Sequence, residues 1–98
     1  MPSDLQSKLD AVCDEETFIA FIVALAADRE DEVAKEKASP SSPYGPGANG
    51  WENGTIEGFL DAATAWATAS KNGLEFYRKT DNPWKRCADI IYMGKIYE

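Results

Sequence analysis

The sequence contains no histidine, and this absence disfavours several kinds of chemistry. Histidine is the commonest general acid or base near neutral pH and the commonest metal ligand in proteins. We therefore predict no catalytic residue, no bound metal and no cofactor, and an enzyme built on this chain would need another proton carrier. The 98 residues are enough for one small domain, residues 1–98, and not for two.

Cysteine and long apolar runs are also scarce. The two cysteines, Cys13 and Cys87, are too few for a disulfide scaffold, and we expect both to be reduced thiols, with a single bridge as the alternative. The longest apolar stretch, residues 18–27, is too short to cross a bilayer. Residues 1–10 are polar and acidic where a secretory signal would need a basic start and an apolar run. These observations predict a cytoplasmic protein that does not enter a membrane.

Positive charge is the third scarce quantity. The formal net charge is −7, and residues 39–70 contain three acidic residues and no basic one, whereas residues 71–98 contain four acidic and six basic residues. Negative charge repels phosphate backbones and anionic lipid headgroups, so we expect neither nucleic acid nor a membrane surface as a partner. A basic protein is the compatible partner, and the sequence leaves the oligomeric state open.

Apolar residues recur at helical spacing in two segments of the first half of the chain. Ser3 is suited to cap a helix that runs from residue 4 to about residue 12, and Asp14 is suited to cap a second helix. The second helix begins with a wide apolar face and ends in a charged segment that reaches Lys37. Residues 39–50 then hold three prolines, three glycines and three serines, which predicts a long, mobile loop.

The second half of the chain predicts two more helices. Thr55 fits the N-cap of a third helix, which ends near Lys71, and a fourth helix runs over about residues 83–92. Gly94 then ends the fourth helix, and residues 95–98 form a short extended tail. The predicted fold class is therefore all-α: a compact single domain of about four helices, with a long Pro/Gly/Ser loop after the second helix.

Two short motifs resemble functional signatures but have simpler explanations. Gly45, Gly47 and Gly50 match the spacing of a dinucleotide-binding loop, yet serine and proline precede them instead of a strand, which indicates a flexible loop. The Asn-Gly-Thr sequence of residues 53–55 matches a glycosylation acceptor, but without a secretory signal it indicates a turn followed by a helix cap.

Three carboxylates surround the start of the third helix. Glu57 and Asp61 lie four residues apart on one helical face, and Glu52 lies just upstream. Such a group could hold a hard cation such as Mg²⁺ or Ca²⁺, or act as an acid–base pair, because these cations prefer oxygen ligands. The alternative is a solvated helix face. The first interpretation would make the chain a small metal-dependent enzyme.

Aromatic residues are numerous and divide into two groups. Trp66 and Trp84 lie on apolar helical stripes, which predicts core positions. Tyr44 and Trp51 flank the loop, where rigid aromatic rings with a polar atom can anchor a partner. For Trp51 the sequence leaves a second possibility, in which the ring folds back as a lid over the core.

Several segments together resemble a known family. They are residues 50–60, which contain the loop-to-helix motif Trp-Glu-Asn-Gly-Thr-Ile-Glu, the alanine-rich run that leads to Trp66, and residues 83–98, which finish on Gly-Lys-Ile-Tyr-Glu. The chain is similar to an uncharacterised family of small acidic bacterial domains. The resemblance implies a bacterial, cytosolic domain that stands alone, similar to small proteins found among toxin-immunity and other accessory genes. It implies no established activity and no catalytic residue.

These observations favour a protein-binding module, and most concretely an immunity-type inhibitor that occludes a basic toxin, such as a nuclease, with its acidic surface. The candidate partner-binding residues are acids of the second and third helices and two anchoring aromatic residues: Glu30, Asp31, Glu32, Glu36, Tyr44, Trp51, Glu52, Glu57 and Asp61. Three alternatives stay open. The acidity could serve only solubility, Glu52, Glu57 and Asp61 could form a metal-dependent enzyme, or the second or fourth helix could mediate self-association of a structural protein.

Overall fold

The computed structural model describes residues 2–41 and 45–97, and these residues form four helices. The helices are α1 (Pro2–Asp10), α2 (Glu15–Ala38), α3 (Ile56–Ala69) and α4 (Pro83–Ile96). The described ranges contain no strand, only one antiparallel residue pair, Leu74 with Tyr77, in the connection between α3 and α4. The predicted all-α class with four helices is therefore confirmed.

The start of α2 is fixed by residues next to it in the sequence. The side chain of Asp14 accepts a hydrogen bond from the backbone N–H of Thr17 at 2.9 Å, and the Thr17 hydroxyl oxygen accepts one from the backbone N–H of Asp14 at 3.0 Å. The Thr17 N–H, followed by the Thr17 hydroxyl, which donates to Oδ1 of Asp14 at 2.7 Å, holds the pKa of Asp14 below its usual value. Glu15 and Glu16 occupy the first turn, where the helix dipole favours acids. The predicted cap at Asp14 is confirmed.

The starts of α3 and α4 are capped in a similar way. Thr55 Oγ1 accepts a bond from the backbone N–H of Gly58 at 3.0 Å, as predicted for the third helix. Asn82 lies directly before Pro83, and its Oδ1 atom accepts hydrogen bonds from the backbone N–H groups of Trp84 and Lys85, at 2.9 and 3.2 Å. The amide nitrogen of Asn82 also donates to the carbonyl of Cys13 at 2.8 Å, which joins the start of α4 to the connection between α1 and α2.

The core is organised around α4, because among the helices of the described chain it alone packs against each of the other three. One set of buried apolar side chains lies between α1, α2 and α4, and a second lies where α3 meets α4. The buried apolar residues are Leu5, Leu9, Val12, Phe21, Leu25, Trp51, Ala62, Ala63, Trp66 and Ala88. Trp66 is therefore a core residue, as predicted.

The C-terminal end of α4 differs from the prediction. The helix continues through Gly94 to Ile96, so the expected extended tail over residues 95–98 is wrong at its first two positions, and Tyr97, the last residue that the structure describes, is extended. Gly94 is buried inside the helix, and Phe59 of α3 packs closely against it. A Cβ atom at this position would lie only 2.9 Å from both the carbonyl oxygen and the Cε2 atom of Phe59. The glycine serves close helix packing instead of ending the helix.

Two further local predictions and one alternative need correction. α1 begins at Pro2, so the predicted start at residue 4 is wrong and Ser3 lies within the helix instead of before it. Trp84, expected in the core, is 37% exposed because it lies in the first turn of α4 at the edge of the bundle, where its ring packs against Phe18 with centroids 5.6 Å apart. Both cysteines are free and exposed, so the alternative of a single bridge is wrong.

None of the helices in the described part of the chain combines the length and the apolar character that crossing a membrane requires.

Candidate functional site

Two acidic residues of α2 face the loop that follows the helix, and we call Glu32 and Glu36 the carboxylate clamp. Glu32 is only 2% exposed. Its Oε1 atom accepts bonds from the backbone N–H groups of Asn49 and Trp51, at 3.0 and 3.1 Å, and its Oε2 atom accepts one from Arg29 at 2.7 Å. A buried carboxylate is stable only when its oxygens are paired in this way.

Glu36 holds the two sides of the same loop. It accepts bonds from the backbone N–H and the hydroxyl of Ser41, at 2.7 and 2.6 Å, and from the backbone N–H of Ala48 at 2.8 Å. The Ser41 hydroxyl, followed by its N–H, keeps the pKa of Glu36 below the usual value. Both oxygens of Glu36 are therefore occupied inside the protein.

Asn49 is held by the side of α2 next to the clamp. Its Nδ2 atom donates to the carbonyl of Asp28 and to Oδ2 of Asp31, both at 3.0 Å, and its Oδ1 atom accepts from Lys35 at 2.9 Å. Asp31 and Lys35 also form an ion pair at 2.8 Å. Lys35, and to a lesser extent Asn49, lower the pKa of Asp31.

Trp51 closes the loop over the core. It is 9% exposed, and its Nε1 atom donates to Oδ2 of Asp28 at 2.8 Å. Lys95 donates to the same oxygen at 2.7 Å, and the cationic groups of Lys95 and Arg29 lie 5.7 and 5.4 Å from the ring centroid. The ring stacks on Phe59 at 6.0 Å between centroids. Of the two interpretations of Trp51, the lid is confirmed and the exposed anchor is wrong.

The residues after Trp51 join the loop to the end of α4. The backbone N–H of Glu52 donates to the carbonyl of Lys95 at 2.9 Å. The Asn53 amide donates to the carbonyls of Gly94 and Tyr97, at 3.0 and 2.8 Å. These bonds satisfy carbonyls that a helix end otherwise leaves unpaired. The loop-to-helix motif is thus a structural junction between the loop, α2 and α4.

The nine predicted partner-binding residues therefore divide into four groups. Glu32 and Trp51 are buried in the junction, so their assignment to a surface is wrong, and Asp31 and Glu36 are engaged by the loop. Tyr44 lies outside the described residues. The acids that remain exposed are Glu30, Glu52, Glu57 and Asp61.

The exposed acids of α3 lie beside exposed apolar side chains. Ile56 is 78% exposed and Leu60 is 55% exposed, and each directly precedes an exposed acid, Glu57 or Asp61. Because residues four apart share a helix face, these four side chains form one surface, which we call the α3 outer face. It points away from α4, since the buried residues of α3 are Ala62, Ala63 and Trp66.

The structure does not gather the acids into a metal site. In the described ranges, no group of three or more histidine, cysteine or acidic residues is arranged to hold a metal ion. Glu52, Glu57 and Asp61 are all exposed. This arrangement does not favour the interpretation of these three residues as the centre of a metal-dependent enzyme.

A polar cluster that sequence reasoning missed lies between the α3–α4 connection and α4. The Tyr77 hydroxyl donates to Oδ2 of Asp89 at 2.8 Å, and Lys85 pairs with Oδ1 of Asp89 at 2.5 Å. Arg86 donates to the buried hydroxyl of Ser70 at 2.9 Å. Burial raises the pKa of Tyr77, and Asp89 adds to the effect while Arg86 opposes it. Only the four-residue spacing of Lys85 and Asp89 signals the cluster in the sequence.

A family model matches residues 14–98 and carries the description of a family of unknown function, DUF7660. This match confirms the resemblance to an uncharacterised family. No curated protein matches the chain, and no solved structure does.

Proposed function

The chain belongs to DUF7660, a family of unknown function, and we propose that it is a protein-binding module that engages a basic, partly apolar partner with the α3 outer face. The observation that carries the proposal is the pairing of two large, exposed apolar side chains with two exposed carboxylates on one helix. Ile56 and Leu60 supply area that gains free energy when it is removed from water, while Glu57 and Asp61 select the sign of the partner's charge.

The carboxylates of the α3 outer face are not neutralised within the described chain. Residues 39–70 contain no lysine or arginine, and neither Glu57 nor Asp61 takes part in an ion pair with another described residue. Their field therefore extends into the solvent, where it accelerates the approach of a positively charged protein. This behaviour separates them from Glu32 and Glu36, whose oxygens already accept hydrogen bonds from the loop, Trp51 and Arg29.

The face is also held in position before any partner arrives. Phe59 lies on the opposite side of α3, stacks on Trp51 and contacts Gly94 of α4. Thr55 caps the helix, and the preceding residue, Gly54, accepts a bond from Arg29 at 3.2 Å. A surface that is ordered in advance loses less entropy on binding.

The most concrete form of the proposal is a bacterial, cytoplasmic immunity-type inhibitor that covers the basic surface of a toxin. A protein that acts on nucleic acid carries a positive surface where it contacts phosphates. An acidic helix with two exposed apolar side chains in its first two turns is complementary to such a surface. The α3 outer face could therefore block access of the phosphate backbone.

The test compares charge reversal on and off the α3 outer face. Tagged wild-type protein, the double variant Glu57→Lys/Asp61→Lys and the control Glu30→Lys/Glu75→Lys are used for affinity capture at low and high salt. Both double variants change the net charge equally, and all four acids are exposed. We expect a stoichiometric basic protein to be retained by the wild type and the control and lost by the α3 variant.

The retained protein is then titrated against purified variants. Leu60→Ser should weaken its affinity by about tenfold, because a large side chain buried at an interface contributes more than about 1 kcal/mol. Folding should be unaffected, since Leu60 is 55% exposed in the free protein. Equal loss of binding in the control and the α3 variant, or retention by the α3 variant, would contradict the proposal.

A further inference from the structure

A cleft lies between α1, residues 77–80 and α4, on a different surface from the α3 outer face. Its volume is about 460 Å³, which is within the range of roughly 300–1,000 Å³ for small-molecule sites. Leu9, Trp66, Tyr92 and Met93 provide apolar lining. Binding sites for small molecules are commonly of this kind, mostly apolar with a few polar groups that fix orientation.

The polar groups at one wall of the cleft are already paired with one another. Asp89 accepts from Tyr77 through one oxygen and pairs with Lys85 through the other. These three side chains line the cleft, and their bonds give its wall a fixed shape. Among the described residues, every buried side-chain polar atom has a hydrogen-bond partner. The groups that recognise a charged ligand therefore have to be other, exposed residues of the cleft lining.

Two exposed lining residues carry opposite charges that are not compensated. Asp10, at the end of α1, accepts one bond from Gln6 at 3.1 Å through Oδ1, and its Oδ2 atom accepts none from a described residue. The Arg78 guanidinium donates no hydrogen bond to any described residue, and neither side chain belongs to an ion pair there. The Tyr92 hydroxyl also has no hydrogen-bond partner in the described ranges. Burial, followed by the charges of Asp28 and Asp10, raises the pKa of Tyr92, so the hydroxyl keeps its proton and can donate it in a hydrogen bond.

From this arrangement we propose that the cleft binds a small zwitterionic molecule with an apolar body, in the chemical class of a free amino acid with a large side chain. Asp10 receives the ammonium group and Arg78 the carboxylate, whose planar shape matches the guanidinium fork. The apolar body lies against Leu9, Trp66 and Met93. One acidic and one basic group, neither in an ion pair with a described residue, favour a ligand that carries both charges over an anion or a cation alone.

The test titrates isotope-labelled protein with three probes, followed by backbone amide NMR shifts. The probes are phenylalanine, phenylacetate, which lacks the ammonium group, and phenethylamine, which lacks the carboxylate. We expect phenylalanine to shift amides around the cleft with a Kd of about 1 mM, as is typical for a ligand of this size. Each of the other two should bind about fivefold more weakly, because an ion pair at an exposed rim contributes little.

Two variants assign each charge to its residue. Asp10→Asn should weaken phenylalanine about fivefold and leave phenylacetate unchanged, and Arg78→Gln should weaken phenylalanine equally and leave phenethylamine unchanged. Asp10→Asn should fold normally, because an acid at the C-terminal end of a helix opposes the helix dipole. The matched control is Lys71→Gln, which removes an exposed positive charge from a residue outside the cleft and should change none of the affinities.

Three results would overturn the proposal. They are the absence of saturable amide shifts around the cleft with phenylalanine, equal affinity of all three probes for the wild type, and equal effects of Lys71→Gln and Arg78→Gln. The first two rely on the wild type alone, so they hold even if a variant does not fold. Binding to the α3 outer face uses other residues, so failure of either proposal leaves the other intact.

Discussion

The carboxylate clamp and the α3 outer face each present two acids four residues apart on a helix, yet the acids do opposite things. Glu32 and Glu36 accept four hydrogen bonds from the loop, one from Trp51 directly after it and one from Arg29. Glu57 and Asp61 are exposed and form no ion pair within the described chain. What faces a carboxylate, and not its spacing on the helix, therefore decides whether it stabilises the fold or is available to a partner.

The difference has a simple physical origin in the loop. A segment without helix or strand leaves its backbone N–H groups unpaired, and such groups need an acceptor when they are buried. Three of them, at Ser41, Ala48 and Asn49, donate to the clamp, as does the N–H of Trp51. No such segment covers the α3 outer face in the described ranges, so its carboxylates remain exposed to solvent.

The largest effect is expected where the clamp is most buried. Glu32→Gln places an amide group among N–H donors and leaves Arg29 without its charged partner, so the free energy of unfolding should fall by about 3 kcal/mol. The matched change Glu57→Gln should alter it by less than about 0.5 kcal/mol, because the side chain is exposed. Urea denaturation monitored by tryptophan fluorescence measures both. Equal losses would erase the distinction between the two regions.

A smaller effect should follow from crowding the same carboxylate. A Cβ atom at Gly47 would overlap the carboxylate of Glu32, so Gly47→Ala should displace that group from the loop and cost about 2 kcal/mol. Gly45 is the control, because a Cβ atom there meets nothing within 4 Å. Thermal unfolding of the two alanine variants compares them directly. A Gly45→Ala variant as unstable as Gly47→Ala would show that loop flexibility, and not the clamp, sets the stability.

The lid over the core should contribute less than the clamp. Trp51→Phe keeps an aromatic ring but removes the donor to Asp28, so we expect a loss of about 1.5 kcal/mol in the free energy of unfolding. Trp84→Phe changes the same residue type at a site that is 37% exposed and should cost about 0.5 kcal/mol or less. If denaturant titration shows the two variants to be equally stable, the hydrogen bond to Asp28 contributes nothing.

The smallest effect is local and depends on pH. The pKa of Glu36 in the folded protein lies below its ordinary value of 4.5. The stabilisation that its hydrogen bonds provide is therefore complete above pH 4.5 and is lost as the pH falls through the lowered pKa. We therefore expect the amide NMR signals of Ser41 and Ala48 to shift on acidification with a midpoint below 4.5. In Glu36→Gln the shifts should be absent. A midpoint above the ordinary value would contradict the geometry of the clamp.

The parts of the fold that the sequence predicts are those determined by near neighbours. Asp14 and Thr55 cap their helices through bonds to residues three positions away, and helical spacing correctly places Trp66 in the core. The sequence does not predict the end of α4 correctly, because the partners of this segment are distant along the chain. Gly94 packs on Phe59, and the carbonyl of Lys95 accepts from the backbone of Glu52, neither of which the local pattern reveals.

The candidate site shows the same limit. The sequence identifies the acids of α2 and α3 alike as surface charge, because composition does not reveal which ones face a loop. Trp51 was ambiguous for the same reason, since its hydrogen bond reaches Asp28, and these residues are 23 positions apart. The cleft is built from four separate segments, around Leu9, Trp66, Tyr77 and Tyr92, so no short motif indicates it.

The long connections that hold the end of α4 also bear on the order of folding. Lys95 with Asp28 and Asn53 with Tyr97 join residues 67 and 44 positions apart, whereas α3 and α4 are neighbours in the chain. Closing long loops is slow, so we expect the α3–α4 pair to form in the transition state and the junction around Trp51 to assemble afterwards. Stopped-flow kinetics of Glu32→Gln should then show faster unfolding and an unchanged refolding rate. The surface proposed to meet a partner would be formed before the loop beside it has closed.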